Sequence, residues 1–198
     1  MYRCWSSSGI GSLGKLEYAV TARYVALSLS NIAKSDRGRQ SCIDAGAPLA
    51  LTELAKEKAV KENRSAAVNV ALALGNIAES NTGRQSCFNT GAPFALVLLS
   101  QQEAIIADPY VRSVIFKSLS ILSSDPLGSQ LVSESLYSVY GRLSLYPAVC
   151  IGILSVVISL LDQYDIPINA DEGKALQYAI DHNLVDIRDL LMCSVSRK

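Results

Sequence analysis

Residues Asn31 to Leu54 read NIAKSDRGRQSCIDAGAPLALTEL, and residues Asn76 to Leu99 read NIAESNTGRQSCFNTGAPFALVLL. Fifteen of the 24 paired positions are identical, and the offset between them is 45 residues throughout. A constant period of this size marks a repeat array, in which a single unit cannot bury its apolar faces and needs neighbours on both sides. The two copies therefore decide the architecture.

Within a unit, Ser35 and Asp36 are natural caps for a short helix of about 39–45. Gly46 stops it, because the residue just past a helix end often sits at positive φ, where a Cβ would clash. Pro48 then opens the next helix, at a first turn where a missing N–H costs nothing. Leu49, Leu51, Leu54 and Ala55 form the apolar side of that helix. A charged connector, 56–64, leads to a third helix near 65–79 with Ala67, Val70, Ala71, Leu74 and Ile77. A similar apolar rhythm predicts a helix over about 15–34. Residues 1–14, rich in Ser and Gly, read as an irregular terminus.

The GRQSCIDAGAP segment with LAL and L after it, followed by a helix ending ALGNIAES, resembles the armadillo repeat. The resemblance implies an all-α, right-handed α-solenoid, an armadillo-like superhelix of about three and a half three-helix repeats. Gly46 and Gly91 match the family's corner between first and second helices, and Asn76 matches the asparagine of its third helix. The units are a partial repeat at 15–34, clear repeats at 38–80 and 83–124, a degenerate repeat at 128–163 and a partial repeat at 171–193. In the degenerate copy the corner becomes 135–137 and the last helix is the apolar run 148–161. In the last copy Asn183 replaces the corner glycine. That stretch, 171–193, also resembles half an ankyrin repeat.

The 198 residues carry 18 basic and 18 acidic groups, so no overall charge draws the chain to nucleic acid. Residues 1–99 hold 11 basic and 7 acidic groups, and residues 100–198 the reverse, which leaves a mild end-to-end asymmetry. The five cysteines show no CxxC spacing, and Cys42 and Cys87 read as small buried apolar residues in a reducing compartment. The longest apolar run, 148–161, falls short of the roughly 20 residues that span a bilayer. The start has no signal-peptide core. The expectation is a cytoplasmic protein without a membrane span, the nucleus being the alternative.

No catalytic, cofactor or metal site is expected. The only histidine, His182, lies beside the Asn183 corner, and no serine sits in a GxSxG elbow. One His and scattered Cys give no metal-ligand spacing, and no phosphate-binding glycine loop exists. Arg39 and Arg84, in register, read as polar steps facing water.

The family instead implies a peptide-binding groove lined by the third helices, with an asparagine ladder bonding an extended backbone. Carried over residue by residue, the lining is Tyr24, Leu27 and Asn31 in the first unit and Asn69, Leu72 and Asn76 in the second. Val114 and Lys117 follow in the third, where Ile121 breaks the ladder. Helical spacing independently puts i, i − 4 and i − 7 on one face. The competing reading of the two asparagines is a turn or cap near a helix end. Leu27 and Leu72 stand where the family's nuclear-import adaptors have tryptophan, and a leucine offers no cation–π attraction to basic peptides. The expected function is non-catalytic binding of an extended peptide or partner protein. Two other readings stay open. The ALGNIAESNTGR segment is similar to armadillo-only exchange factors, which would make a small GTPase the partner. The ragged ends suit a structural subunit or fragment of a larger repeat assembly, with self-association through the uncapped N-terminal end.

Overall fold

The computed structural model describes residues 7–141, 145–164, 166 and 173–195. These form helices and no strand. The first helix, α1 (Ser7–Ile32), precedes two similar sets. The first set is α2 (Asp36–Asp44), α3 (Ala47–Lys56), α4 (Lys58–Lys61) and α5 (Arg64–Ala78). The second is α6 (Asn81–Thr90), α7 (Ala92–Ser100), α8 (Glu103–Ile106) and α9 (Pro109–Leu122). Then come α10 (Pro126–Tyr140), α11 (Tyr146–Ile151), α12 (Leu154–Tyr164), α13 (Lys174–Asp181) and α14 (Val185–Val195).

The helices pack in two rows. Helices α1, α5, α9, α11 and α13 follow one another in the first, and α3, α7, α10, α12 and α14 in the second. Between the rows lies a continuous apolar core that includes Leu51, Leu74, Ile77, Leu96, Ile115 and Leu119, all fully buried.

Three corners of one design hold the first half. Ser35 Oγ accepts from Gly38 N at 3.1 Å, Ser80 Oγ from Gly83 N at 3.1 Å, and Asp125 Oδ1 from Gly128 N at 2.8 Å. Each glycine lies against the end of the preceding long helix. A Cβ there would sit 1.8 Å from the Ile32 or Ile77 carbonyl oxygen, or 1.9 Å from that of Leu122. Only glycine permits this approach. The second corner of each set, Gly46 or Gly91, takes φ 71 or 75, as the reading of a glycine stop requires.

Arg39 and Arg84 do not face water. Arg39 Nη1 donates to the Ala33 carbonyl at 3.0 Å and to Glu79 at 2.9 Å, and it also pairs with Asp36. Arg84 Nη1 donates to the Ala78 carbonyl at 3.1 Å, while its Nε meets Asp125 at 3.1 Å. Each arginine thus caps the long helix six residues behind it and reaches a carboxylate about one unit ahead. Ser129 occupies the next place in this series. Its Oγ donates to the Ser123 carbonyl at 2.9 Å and lies 2.7 Å from Ser155 Oγ on α12, but among the described residues it meets no carboxylate.

Several expectations are corrected. Ser7 to Gly14, read as irregular, is helical; extending a helix already nucleated downstream avoids the cost of nucleation, so weak formers can join it. The charged connector contains a one-turn helix in each set, α4 and α8, which bury Val60 and Ile105 completely. Each unit therefore has four helices. The corner expected at 135–137 is absent: Leu136 stands where Gly91 would repeat, nothing there favours positive φ, and α10 runs straight through. The apolar run 148–161 is broken by Gly152 at φ 76, which sends α11 into the first row and α12 into the second. From Pro126 onward the units are two-helix hairpins, second-row helices starting at Pro126, Leu154 and Val185. Gly173, aligned with Gly128, is a left-handed N-cap with φ 81 and open space around it, a different role. Asn183 does take positive φ, 53, between α13 and α14.

Cys42 and Cys87 are free and buried, their thiols 4.0 and 3.9 Å from the carbonyls of Leu29 and Leu74. Burial pushes the Cys87 thiol up to about 12 and raises that of Cys42. Thiolate is the reactive form, so at pH 8 iodoacetamide should alkylate exposed Cys193 in the folded protein and Cys87 only after denaturation; peptide mass mapping reads both.

The glycine corners give a second test. Gly83→Ala should destabilise by about 3 kcal/mol, the upper end of the range for overpacking, because its neighbour is backbone and cannot swing away. Gly14→Ala, in α1 with nothing within 4 Å of the new methyl, should stabilise by up to ~1 kcal/mol. Urea melts of the two variants should shift in opposite directions.

Candidate functional site

The long helices of the first row expose a matching stripe. On α5 the outward residues are Ser65, Asn69, Leu72 and Asn76, at three- and four-residue steps, with Arg64 beside the first and Glu79 just past the helix end. Shifting by the 45-residue period gives Val20, Tyr24, Leu27 and Asn31 on α1 and Lys34 just past its end, all exposed, while Ala19, the equivalent of Arg64, is buried. On α9 the stripe runs through Tyr110, Ser113, Lys117 and Ile121. Of the residues read as groove-lining, Tyr24, Leu27, Asn31 and Lys117 are exposed and Asn69, Leu72 and Asn76 are half-buried. Val114 is the exception. It is buried at the α5 contact and cannot meet a ligand; Ser113 takes the outward place.

The asparagines are already engaged. Asn76 Nδ2 donates to the Ser30 carbonyl at 2.9 Å and to Ser30 Oγ at 3.1 Å, and Asn69 Nδ2 donates to the Arg23 carbonyl at 3.2 Å. Both amides thus tie α5 to α1. Ser118 repeats the device one unit on, donating its hydroxyl to the Ala71 carbonyl at 2.8 Å. Asn31, the periodic equivalent of Asn76, is exposed.

Two clefts open along this row. The first, about 300 Å³, lies among α1, α5 and α9 beneath Arg23, Arg64, Asn69 and Tyr110. Tyr110 is 66 % exposed, which makes it the most open large apolar side chain of the described residues. Arg23 leans over the Tyr24 ring at 5.3 Å, and its buried Nε has no hydrogen-bond partner among the described residues. Arg64 stands 3.6 Å from Asp108, whose other oxygen caps α9. The second cleft, about 310 Å³, lies among α9, α11 and α13. Its walls include Arg112, Tyr146, Tyr178 and His182. Position within a unit gave no hint of Arg23, Tyr110 or Arg112, which differ from copy to copy and converge only through packing.

His182 is exposed, as a helix-end histidine would be, but it is not merely solvated. Its ring stacks on Tyr178 at 3.7 Å and its Nδ1 lies 3.0 Å from the Tyr178 carbonyl. Among the described residues no group of three or more His, Cys, Asp and Glu could hold a metal ion, and no helix is long and apolar enough to cross a membrane. No family model, no curated protein and no solved structure matches the chain.

The two ladder asparagines should separate in stability. Asn76→Ala removes both donations to Ser30 and should cost about 1–2 kcal/mol. Asn31→Ala, which breaks no bond to the protein, should fall within about 0.5 kcal/mol of wild type. Urea unfolding midpoints decide between them.

Proposed function

We propose that the chain is an armadillo-like solenoid that binds an extended segment of a partner protein, without catalysis, along the exposed stripe of its first row. The observation that carries this reading is the stripe itself. Tyr24, Leu27, Leu72 and Tyr110 offer apolar contact on successive long helices, with Lys117 and the two arginine-lined clefts beside them. Isolated exposed apolar residues are ordinary, whereas these lie on one face at stripe positions that the 45-residue period relates, Leu27 to Leu72 directly and Val20 to Tyr110 two periods on, which is the pattern expected of a binding surface.

The asparagines enter this reading with a changed part. Both N–H groups of Asn76 are spent on Ser30, so it holds for a guest only its side-chain carbonyl oxygen, whereas Asn69 spends one N–H on Arg23 and keeps a second N–H and its oxygen for an extended backbone. Specificity then comes from the side chains in the stripe. Pockets for alternate side chains beside main-chain bonds are how extended peptides are recognised elsewhere.

Peptides selected from a random display library on the intact protein test the reading. In heteronuclear spectra a bound peptide should shift the resonances of α1, α5 and α9 along the stripe. Tyr24→Ala combined with Leu27→Ser should weaken binding at least tenfold while the thermal midpoint stays in place. Shifts confined to the second row, or undiminished affinity, would remove the groove from consideration.

A further inference from the structure

The second cleft lies where four-helix units give way to two-helix hairpins. Among the described residues no acidic side chain lines it, although Arg112 enters it. Arg39, Arg64, Arg84 and Arg188 each meet a carboxylate. Arg112 has no such partner among the described residues; its guanidinium lies over the Tyr146 ring, 5.9 Å from the centroid. Tyr146 meets Tyr178 edge to face at 5.5 Å and 88°, and Tyr178 carries the His182 ring on its other side. Phe116 closes the apolar wall.

A guanidinium laid against an aromatic ring keeps its in-plane N–H fork free, and that fork fits a carboxylate through two parallel bonds. We propose that this cleft is a specificity pocket for an acidic side chain, Asp or Glu, of the extended segment bound along the first row. The proposal rests on the groove reading.

Three further observations support it. Ser113 belongs both to the cleft wall and to the exposed stripe of α9, so a chain lying on the stripe passes the mouth of the cleft. Burial first, then the adjacent Cys150 thiol, pushes the Tyr146 phenol up to about 12 and raises Tyr178 in the same way. A phenol is neutral near pH 7 even without such a shift, so neither ring cancels the Arg112 charge. The walls, flat and apolar, suit the methylene stem of the acid while the charged end reaches the fork, and partial exclusion of water strengthens the pairing. A basic side chain would bring a second cation beside Arg112 and is disfavoured.

The test uses fluorescein-labelled peptides from the same selection, titrated against the intact protein. Selected peptides should share an acidic position. Replacing that residue by Gln should weaken binding at least tenfold on wild type and less than twofold on Arg112→Gln. Arg112→Glu should recover affinity for the peptide carrying Lys at that position, a rescue that general damage to the cleft would not give. A loss on Arg112→Gln that is equal for acidic and neutral peptides, or no acidic position at all, overturns the pocket. Binding abolished by Tyr24→Ala with Leu27→Ser but indifferent to Arg112 keeps the groove and removes the pocket. Sensitivity to Arg112 alone keeps the carboxylate pocket and removes the groove. Failure to select any peptide overturns both.

Discussion

The approach of one backbone to another at Gly38, Gly83 and Gly128 governs the rest of the molecule. In each case the chain leaves a long helix, turns on a Ser or Asp cap and brings the next helix back within van der Waals range of the carbonyl it has just left. The contact fixes the angle at which one unit enters the next, and it admits no side chain. The Ser-x-x-Gly string is therefore a geometric instruction. It survives as Asp-x-x-Gly at residues 125–128, where the rest of the unit has drifted.

Once the corner is set, polar groups lock the neighbours. Arginine ties the end of α1 or α5 to the following unit, and the amides of Asn69 and Asn76 tie α5 back to α1. The half-buried side chains of Asn69 and Asn76 belong to both the stripe and this cohesion, so the stripe on α5 is also a seam between helices. A guest on the stripe therefore meets two asparagines that are already held, while exposed Tyr24, Leu27 and Tyr110 lose rotamer freedom on contact. The two clefts flank α9, whose first turn supplies Tyr110 to one and Arg112 to the other.

Much of the fold was legible because its decisive residues are chemically singular. Glycine at positive φ, proline at a first helical position and a capping hydroxyl have few alternative uses, and they recur at 45 residues. The one-turn helices α4 and α8 escaped notice because a single buried residue among charges, Val60, has no period to reveal it. The straight run of α10 and the break at Gly152 escaped for a related reason. Beyond Ser129 the period no longer constrains the chain, and an apolar run does not say which row its halves will join. Of the candidate site, the spacing i, i − 4 and i − 7 located the exposed stripe on α1 and α5. It missed the burial of Val114 on α9, where Tyr110, Lys117 and Ile121 keep the period. It could not assign the asparagine amides either, since helical spacing says where a side chain points and not whom it bonds.

The replacement of arginine by Ser129 has a consequence for how the array comes apart. In a linear stack, cooperativity depends on how strongly each unit is coupled to the next relative to its own stability. Arg39 and Arg84 span the unit boundary, so loosening one block there disturbs a charge in its neighbour. Ser129 keeps the local carbonyl satisfied and touches Ser155, but it carries no charge across. The series of charged ties thus ends with Arg84 and Asp125, at the start of α10. Beyond it Ser129 joins α10 to α12 through a neutral hydroxyl contact and apolar packing continues the series. Cohesion between units changes in kind along the chain, from charge to packing.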